Sequence, residues 1–123
     1  MAGKGKLTAT PNGRLRLTTA EAVVAFRMLK ISGAYCDADE APIGATEIAY
    51  NDGDEASLII GGTCILDTSE AVTEGEWLSS AADGKAKSQD AGEEAFGKCL
   101  FTTSGAAQTV CLIAPQKVNF DAP

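Results

Sequence analysis

The chain has 123 residues, of which 45% are hydrophobic and 22% charged, with no histidine and a formal charge of −7. That length fits one domain that can bury a core without staples, and the composition excludes a chain disordered throughout. The missing histidine removes the commonest general base and the commonest transition-metal ligand.

No run approaches the ~20 apolar residues of a membrane span, so no membrane partner is expected. Met1-Ala-Gly-Lys-Gly-Lys6 has no apolar stretch behind its basic residues, so a signal peptide is not expected either. The expected folding compartment is a cytosol, where thiols stay reduced. Charge is segregated along the chain. Residues 1–30 hold six basic residues (Lys4, Lys6, Arg14, Arg16, Arg27, Lys30) and one acid, Glu21, while the rest holds four lysines and sixteen acids. A basic arm on an acidic body predicts an acidic partner, including a second copy of the same body. Nucleic acid is set aside, because the body would repel phosphate and the arm has no aromatic ring for stacking.

Residues 1–13 read as an extended arm, with Pro11-Asn12-Gly13 as a turn. Arg14-Leu15-Arg16-Leu17-Thr18 alternates strictly and predicts a strand with Leu15 and Leu17 inward. Residues 20–31 mix helix formers with Val23, Val24, Phe26 and Ile31; we read them as strand, ended by Ser32-Gly33. Tyr35-Cys36 is a brief strand, and residues 37–42 form an acidic loop. Residues 43–50 and 56–60 predict a hairpin around Asn51-Asp52-Gly53-Asp54. Gly61-Gly62 bends the chain into the strand Thr63-Cys64-Ile65-Leu66, and residues 67–75 form a loop or one helical turn. Residues 74–113 then hold four short runs punctuated at Asp83-Gly84, at 90–92 and at Ser104-Gly105, the pattern of consecutive antiparallel strands. Pro115 ends the last strand. The division is therefore 1–17 as arm with first strand, 18–114 as β domain and 115–123 as tail.

The two halves are self-similar at about fifty residues, in the range of repeated supersecondary units. Ile43-Gly44, a turn and the strand 56–60 match Phe96-Gly97, a turn and the strand 108–113. The expected fold is mainly β: a compact barrel- or sandwich-like domain built from a duplicated β-unit, with an extended N-terminal arm.

No nucleophile elbow, Walker A or dinucleotide-binding glycine pattern occurs, so an enzyme is not expected. The cysteines at 36, 64, 99 and 111 form no Cys-x-x-Cys pair, which argues against zinc. They read as four small buried hydrophobes. The alternative is a bridge, since a three-residue turn at 104–106 puts Cys99 opposite Cys111. The acidic groups Asp37/Asp39/Glu40 and Asp52/Asp54/Glu55 continue into no full calcium loop, and read as a solvated loop and a hairpin tip. No cofactor and no metal is expected. Trp77, the only tryptophan, reads as core or as the edge of a subunit interface, with a ligand platform as the alternative.

Across residues 18–114 the order of features resembles the head decoration (capsid cement) proteins of tailed phages. The features are Val23-Val24-Ala25 and Lys30, Ile43-Gly44, an Asp-Gly turn, and Gly62-Thr63-Cys64-Ile65-Leu66. Glu74-Gly75-Glu76-Trp77-Leu78, Ala82-Asp83-Gly84-Lys85-Ala86, Phe96-Gly97 and the closing Thr109-Val110-Cys111-Leu112-Ile113 follow. The acid load, the cysteines and the tail depart from the commoner family pattern. The resemblance implies a structural virion protein, made in the host cytoplasm, on the outer capsid surface. It implies the major capsid protein as partner, bridging of neighbouring capsomers, and self-association as a homotrimer. The residues expected to touch the shell or a neighbouring subunit are Lys4, Lys6, Leu7, Arg14, Leu15, Arg16, Leu17, Trp77 and Phe120. The rival expectations are a small β-barrel module that binds a ligand or peptide, and a tail or connector subunit.

Overall fold

The structure, a computed structural model, describes residues 7–38 and 40–114. Strands β1 (Arg14–Thr18), β2 (Met28–Leu29), β3 (Gly44–Ala45) and β4 (Glu55–Ile59) form a sheet in the order β1-β4-β3-β2. Strands β5 (Thr63–Asp67), β6 (Trp77–Ser80), β7 (Ala86–Ser88), β8 (Gly97–Cys99) and β9 (Gln108–Ile113) form a second, in the order β5-β9-β8-β6-β7. Every strand pair is antiparallel. A single 3-10 turn, Ala82–Gly84, is the only helical element among the described residues. Neither sheet closes on itself, so the domain is sandwich-like rather than a barrel.

Each half of the chain makes one sheet, and the two sheets share a topology. The order is first, fourth, third, second in one sheet and first, fifth, fourth, second, third in the other; the extra strand is β7, and Tyr35, bridged to Leu29, stands in the first half where β7 stands in the second. The glycines of β3 and β8 have the same task. A Cβ on Gly44 would sit 2.8 Å from Leu58 Cβ, and one on Gly97 would sit 2.6 Å from Cys111 Sγ, so both partners are displaced by 53 residues. Val23 and Tyr50 bond through their backbones as Val72 and Thr103 do. The loop before β3 also repeats before β8. Glu40 accepts the Asp37 N–H and pairs with Lys30 at 2.8 Å; Glu93 accepts the Asp90 N–H and pairs with Lys87 at 2.6 Å.

The main core fills the space between the sheets. Met28, Ala45 and Ile59 of the first sheet join Cys64, Leu66, Leu78, Cys111 and Ile113 of the second, with Val72 and Phe96 from the connections. The other face of the first sheet has its own core, in which Val23, Leu29, Ala56 and Leu58 pack with Leu17, Ile43 and the two tyrosines. β4 therefore reads Ala56-Ser57-Leu58-Ile59, apolar on both faces, as a strand covered on both sides must. All four cysteines are thiols and buried. Cys99 does stand opposite Cys111, as the turn register predicts, but without a bond between them.

Two expected strands are shorter than their sequences imply. Of residues 20–31, only Met28–Leu29 is a strand, and Val23 makes one isolated bridge to Tyr50. The expected hairpin from residue 43 likewise pairs with β4 only at Ala45. Thr46 explains both. Its carbonyl accepts the Phe26 N–H, its hydroxyl accepts the Arg27 N–H at 3.1 Å, and that hydroxyl donates to the Val24 carbonyl at 2.8 Å. These bonds draw both segments out of their ladders, and Phe26 takes a φ of 68° at the crossing.

Candidate functional site

Lys4, Lys6 and Phe120 lie outside the described residues. Leu7 is half-buried. The next residues are held by backbone bonds: Thr63 N–H to the Thr10 carbonyl, Asn12 N–H to Gly61, and Ile60 N–H to Gly13. Residues 10–13 thus lie along 60–63, and β1 is bonded into the four-stranded sheet.

β1 is an edge strand. Its bonds to β4 fall on alternate residues, and the flanking bonds at Gly13 and Thr19 set the phase. The backbone N–H and C=O groups of Arg14 and Arg16 consequently point away from β4, to the open side. At the far end the turn at Gly33 packs onto the Thr18 carbonyl, which closes that end of the edge. Leu15 and Leu17 turn inward and are partly buried, and Leu17 packs on the second core. Arg14 is 2.8 Å from Glu47, while Arg16 reaches Glu55 only at 3.6 Å with side chains 76% and 60% exposed. An exposed pair of that kind holds its arginine weakly. The other early basic residues turn inward to their own body. Arg27 binds Asp67 at 2.8 Å and stacks over Tyr35, and the Lys30 ammonium is held above its ordinary pKa by its bond to Glu40.

Trp77 lies on the back of the five-stranded sheet, one strand in from the β7 edge, so it does not share a site with β1. Lys98 Nζ sits 5.0 Å from the ring centroid, a cation–π contact. A groove of about 300 Å³ lies beside the indole, lined by Gly75, Glu76, Ser88 and Gln89. In register with Trp77 and Lys98 stands Leu112, 47% exposed, and next to it Leu100, 46% exposed. These two leucines extend the Trp77 surface into an apolar patch. The sequence does not single them out, because the run Val110-Cys111-Leu112-Ile113 looks buried on both faces, whereas Leu112 is exposed.

Of the acidic groups, Asp37, Glu40 and Asp54 are engaged in hydrogen bonds with the chain. Glu40 is bonded to Lys30 and to the Asp37 N–H, and both hold its carboxyl below the usual range. Asp54 caps the Asn51 N–H at 2.8 Å. Asp39 lies outside the described residues. Among the described residues, no three acidic or cysteine side chains gather as a metal site, and no helix is long and apolar enough to cross a membrane.

A family model for phage cement proteins matches residues 9–114, the whole of both sheets. The chain belongs to the phage cement protein family. Among solved structures, the head fiber gp8.5 N base of bacteriophage phi29 has a TM-score of 0.70 at 15% identity, over 88% of this cement protein and 98% of that chain. At that identity the likeness is one of fold. No curated protein matches the sequence. Family membership makes this cement protein a capsid-associated structural protein, and the two surfaces above are where its contacts can be sought.

Proposed function

We propose that this cement protein binds the outer surface of an assembled phage capsid, with the major capsid protein as partner, and bridges neighbouring capsomers as a homotrimer. One observation carries the mode of binding: the edge of β1, where the outward backbone groups of Arg14 and Arg16 have no partner among the described residues and their guanidinium groups are exposed on an otherwise acidic body. An extended acidic segment of the shell can add to that edge as a further strand. Backbone pairing then supplies affinity and the arginines supply orientation. Lys4, Lys6 and Leu7 extend the same contact along the shell. Each exposed ion pair contributes at most about 1 kcal/mol, so occupancy depends on several copies of the contact acting together at high effective concentration.

The test is co-sedimentation with capsid shells that lack the protein. The full chain is compared with a deletion of residues 1–6 and with Arg14→Glu/Arg16→Glu. The deletion stops before Thr10 because residues 10–13 pair with the body. Charge reversal is expected to lower occupancy strongly and the deletion to lower it in part, and high salt is expected to weaken binding by the full chain and to narrow both differences. Full occupancy by the charge-reversed protein removes β1 as the contact.

A further inference from the structure

We propose that Asn12-Gly13 is a site of spontaneous deamidation, which replaces a neutral amide by a carboxylate at the entrance to the basic edge. In this reaction the Gly13 nitrogen gives up its proton to solvent base and attacks Asn12 Cγ, the two atoms being held close by the chain itself. The Cγ–Nδ2 bond breaks, ammonia leaves, and a five-membered succinimide remains. Water then opens one of the two carbonyl–nitrogen bonds of the ring. Opening at Cγ leaves aspartate at position 12. Opening at the main-chain carbonyl leaves isoaspartate, whose main chain runs on through Cγ. The sum is amide plus water to carboxylate plus ammonium.

The attacking nitrogen has to be free, and the fold separates the candidates on that point. Three steps in the chain join Asn or Asp to glycine: Asn12-Gly13, Asp52-Gly53 and Asp83-Gly84. The aspartates close the same ring with loss of water. Gly53 donates its N–H to the Thr19 carbonyl at 3.0 Å, and Gly84 donates to the Cys36 carbonyl at 2.9 Å. A bonded N–H keeps its proton and its direction. The Gly13 N–H has no partner among the described residues, although the Gly13 carbonyl accepts the Ile60 N–H. Asn12 and Gly13 are both exposed. Opposite them stand Gly61 and Gly62, which put no side chain over the amide; a Cβ on Gly62 would lie 3.0 Å from Asn12 Cβ. The other asparagines, Asn51 and Asn119, precede Asp52 and Phe120, whose side chains crowd ring closure. Gly13 has a φ of 101°, so the fold demands the very glycine that makes the step labile.

The effect on binding rests on the β1 contact proposed above. A carboxylate at position 12 stands two residues before Arg14 and repels the acidic segment that β1 is to bind. Isoaspartate also adds a carbon to the main chain. The Asn12 bond to Gly61 at 2.9 Å and the Gly13 bond to Ile60 at 3.2 Å then no longer fit one register. The residues before Asn12 lose their hold on the body, and shell binding falls as the free protein ages.

The folded full chain and a guanidinium-unfolded sample are stored at mildly alkaline pH and then digested with trypsin. Cleavage after Lys6 and Arg14 releases residues 7–14, and cleavage after Lys30 and Lys85 releases residues 31–85. The first peptide is expected to gain the mass of an amide-to-acid exchange in both samples and to be marked by an isoaspartate methylation assay. The second is expected to keep its mass in the folded sample. An unchanged first peptide from the folded chain overturns the proposal, whether or not the unfolded sample converts. The shell takes no part in this measurement, so its failure is distinct from failure of the β1 contact. Co-sedimentation with capsid shells then compares the stored chain with Asn12→Asp and with Asn12→Gln stored for the same time. The stored chain and Asn12→Asp are expected to lose occupancy part of the way to Arg14→Glu/Arg16→Glu, and Asn12→Gln to keep it. Full occupancy by the converted chain, beside loss in the charge-reversed protein, overturns the effect on binding.

Discussion

At Gly97 a methyl group has nowhere to go. Its Cβ would lie 2.6 Å from Cys111 Sγ and closer still to the Leu112 carbonyl, between strands that cannot part without breaking the ladder. Gly97→Ala is expected to cost about 3 kcal/mol, while Gly105→Ala, with open space around it, should change stability by under about 1 kcal/mol. Urea unfolding of the two variants checks this, and equal midpoints would refute it. The Lys87 ammonium is 14% exposed and lies between Glu93, 8% exposed, and Asp90. Lys87→Met removes the counter-charge of a buried carboxylate and should cost about 3 kcal/mol by the same measurement. Lys30→Met, at the repeated but more exposed position, should cost less. The thiols carry a third residue-scale prediction. Burial pushes the Cys36 thiol up to about 11 against the pull of its bond to Ser80. A thiol reagent at neutral pH should find none of the four cysteines in the folded protein and all four after unfolding; two after unfolding would reveal a bridge. The buried thiols were legible from the absence of paired cysteine motifs and the apolar neighbours. The lysine–glutamate pairs were not, because loop residues meet only once the loop has closed.

At the scale of elements, the duplicated β-unit was legible because glycines and turns recur at a fixed spacing, and those are the residues that backbone geometry restricts most. The extent of residues 20–31 was not. Nothing local distinguishes Thr46 from any other threonine in a strand pattern, yet its hydroxyl and carbonyl hold that whole segment out of the ladder. The repeated acidic loops set the response to pH. Glu40, held low first by Lys30 and then by the Asp37 N–H, contributes stability above the ordinary carboxylate pKa of about 4.3. That contribution is lost as pH falls through its depressed folded value. Burial would lower the Lys87 pKa, but the bonds to Glu93 and Asp90 outweigh it and hold the ammonium above its usual value. Its contribution is full below about pH 10.4 and is lost as pH rises through the folded value. With no histidine between these limits, the thermal midpoint should stay flat from about pH 6 to about pH 9 and fall on both sides. A step near pH 6.5 would contradict this account.

At the scale of the whole molecule, the basic edge can meet two acidic surfaces, the shell or the body of a neighbouring copy. Contact between the basic edge of one copy and the acidic loops of the next is head-to-tail, and such a contact closes into a ring only at the right rotation. Contact with the shell leaves self-association to another face. The charge-reversed protein, Arg14→Glu/Arg16→Glu, separates the two. Its mass in solution is measured by light scattering beside that of the unaltered chain, at physiological and at high salt. The expected result is three copies of the 12.6 kDa chain for both proteins, with shell binding lost only in the variant. That outcome turns β1 toward the capsid, with the trimer held by contacts that salt does not screen. A variant that falls to monomers, with the unaltered trimer dissolving at high salt, turns β1 toward the neighbouring copy. The edge strand then builds the trimer, and the shell contact has to be sought on other faces.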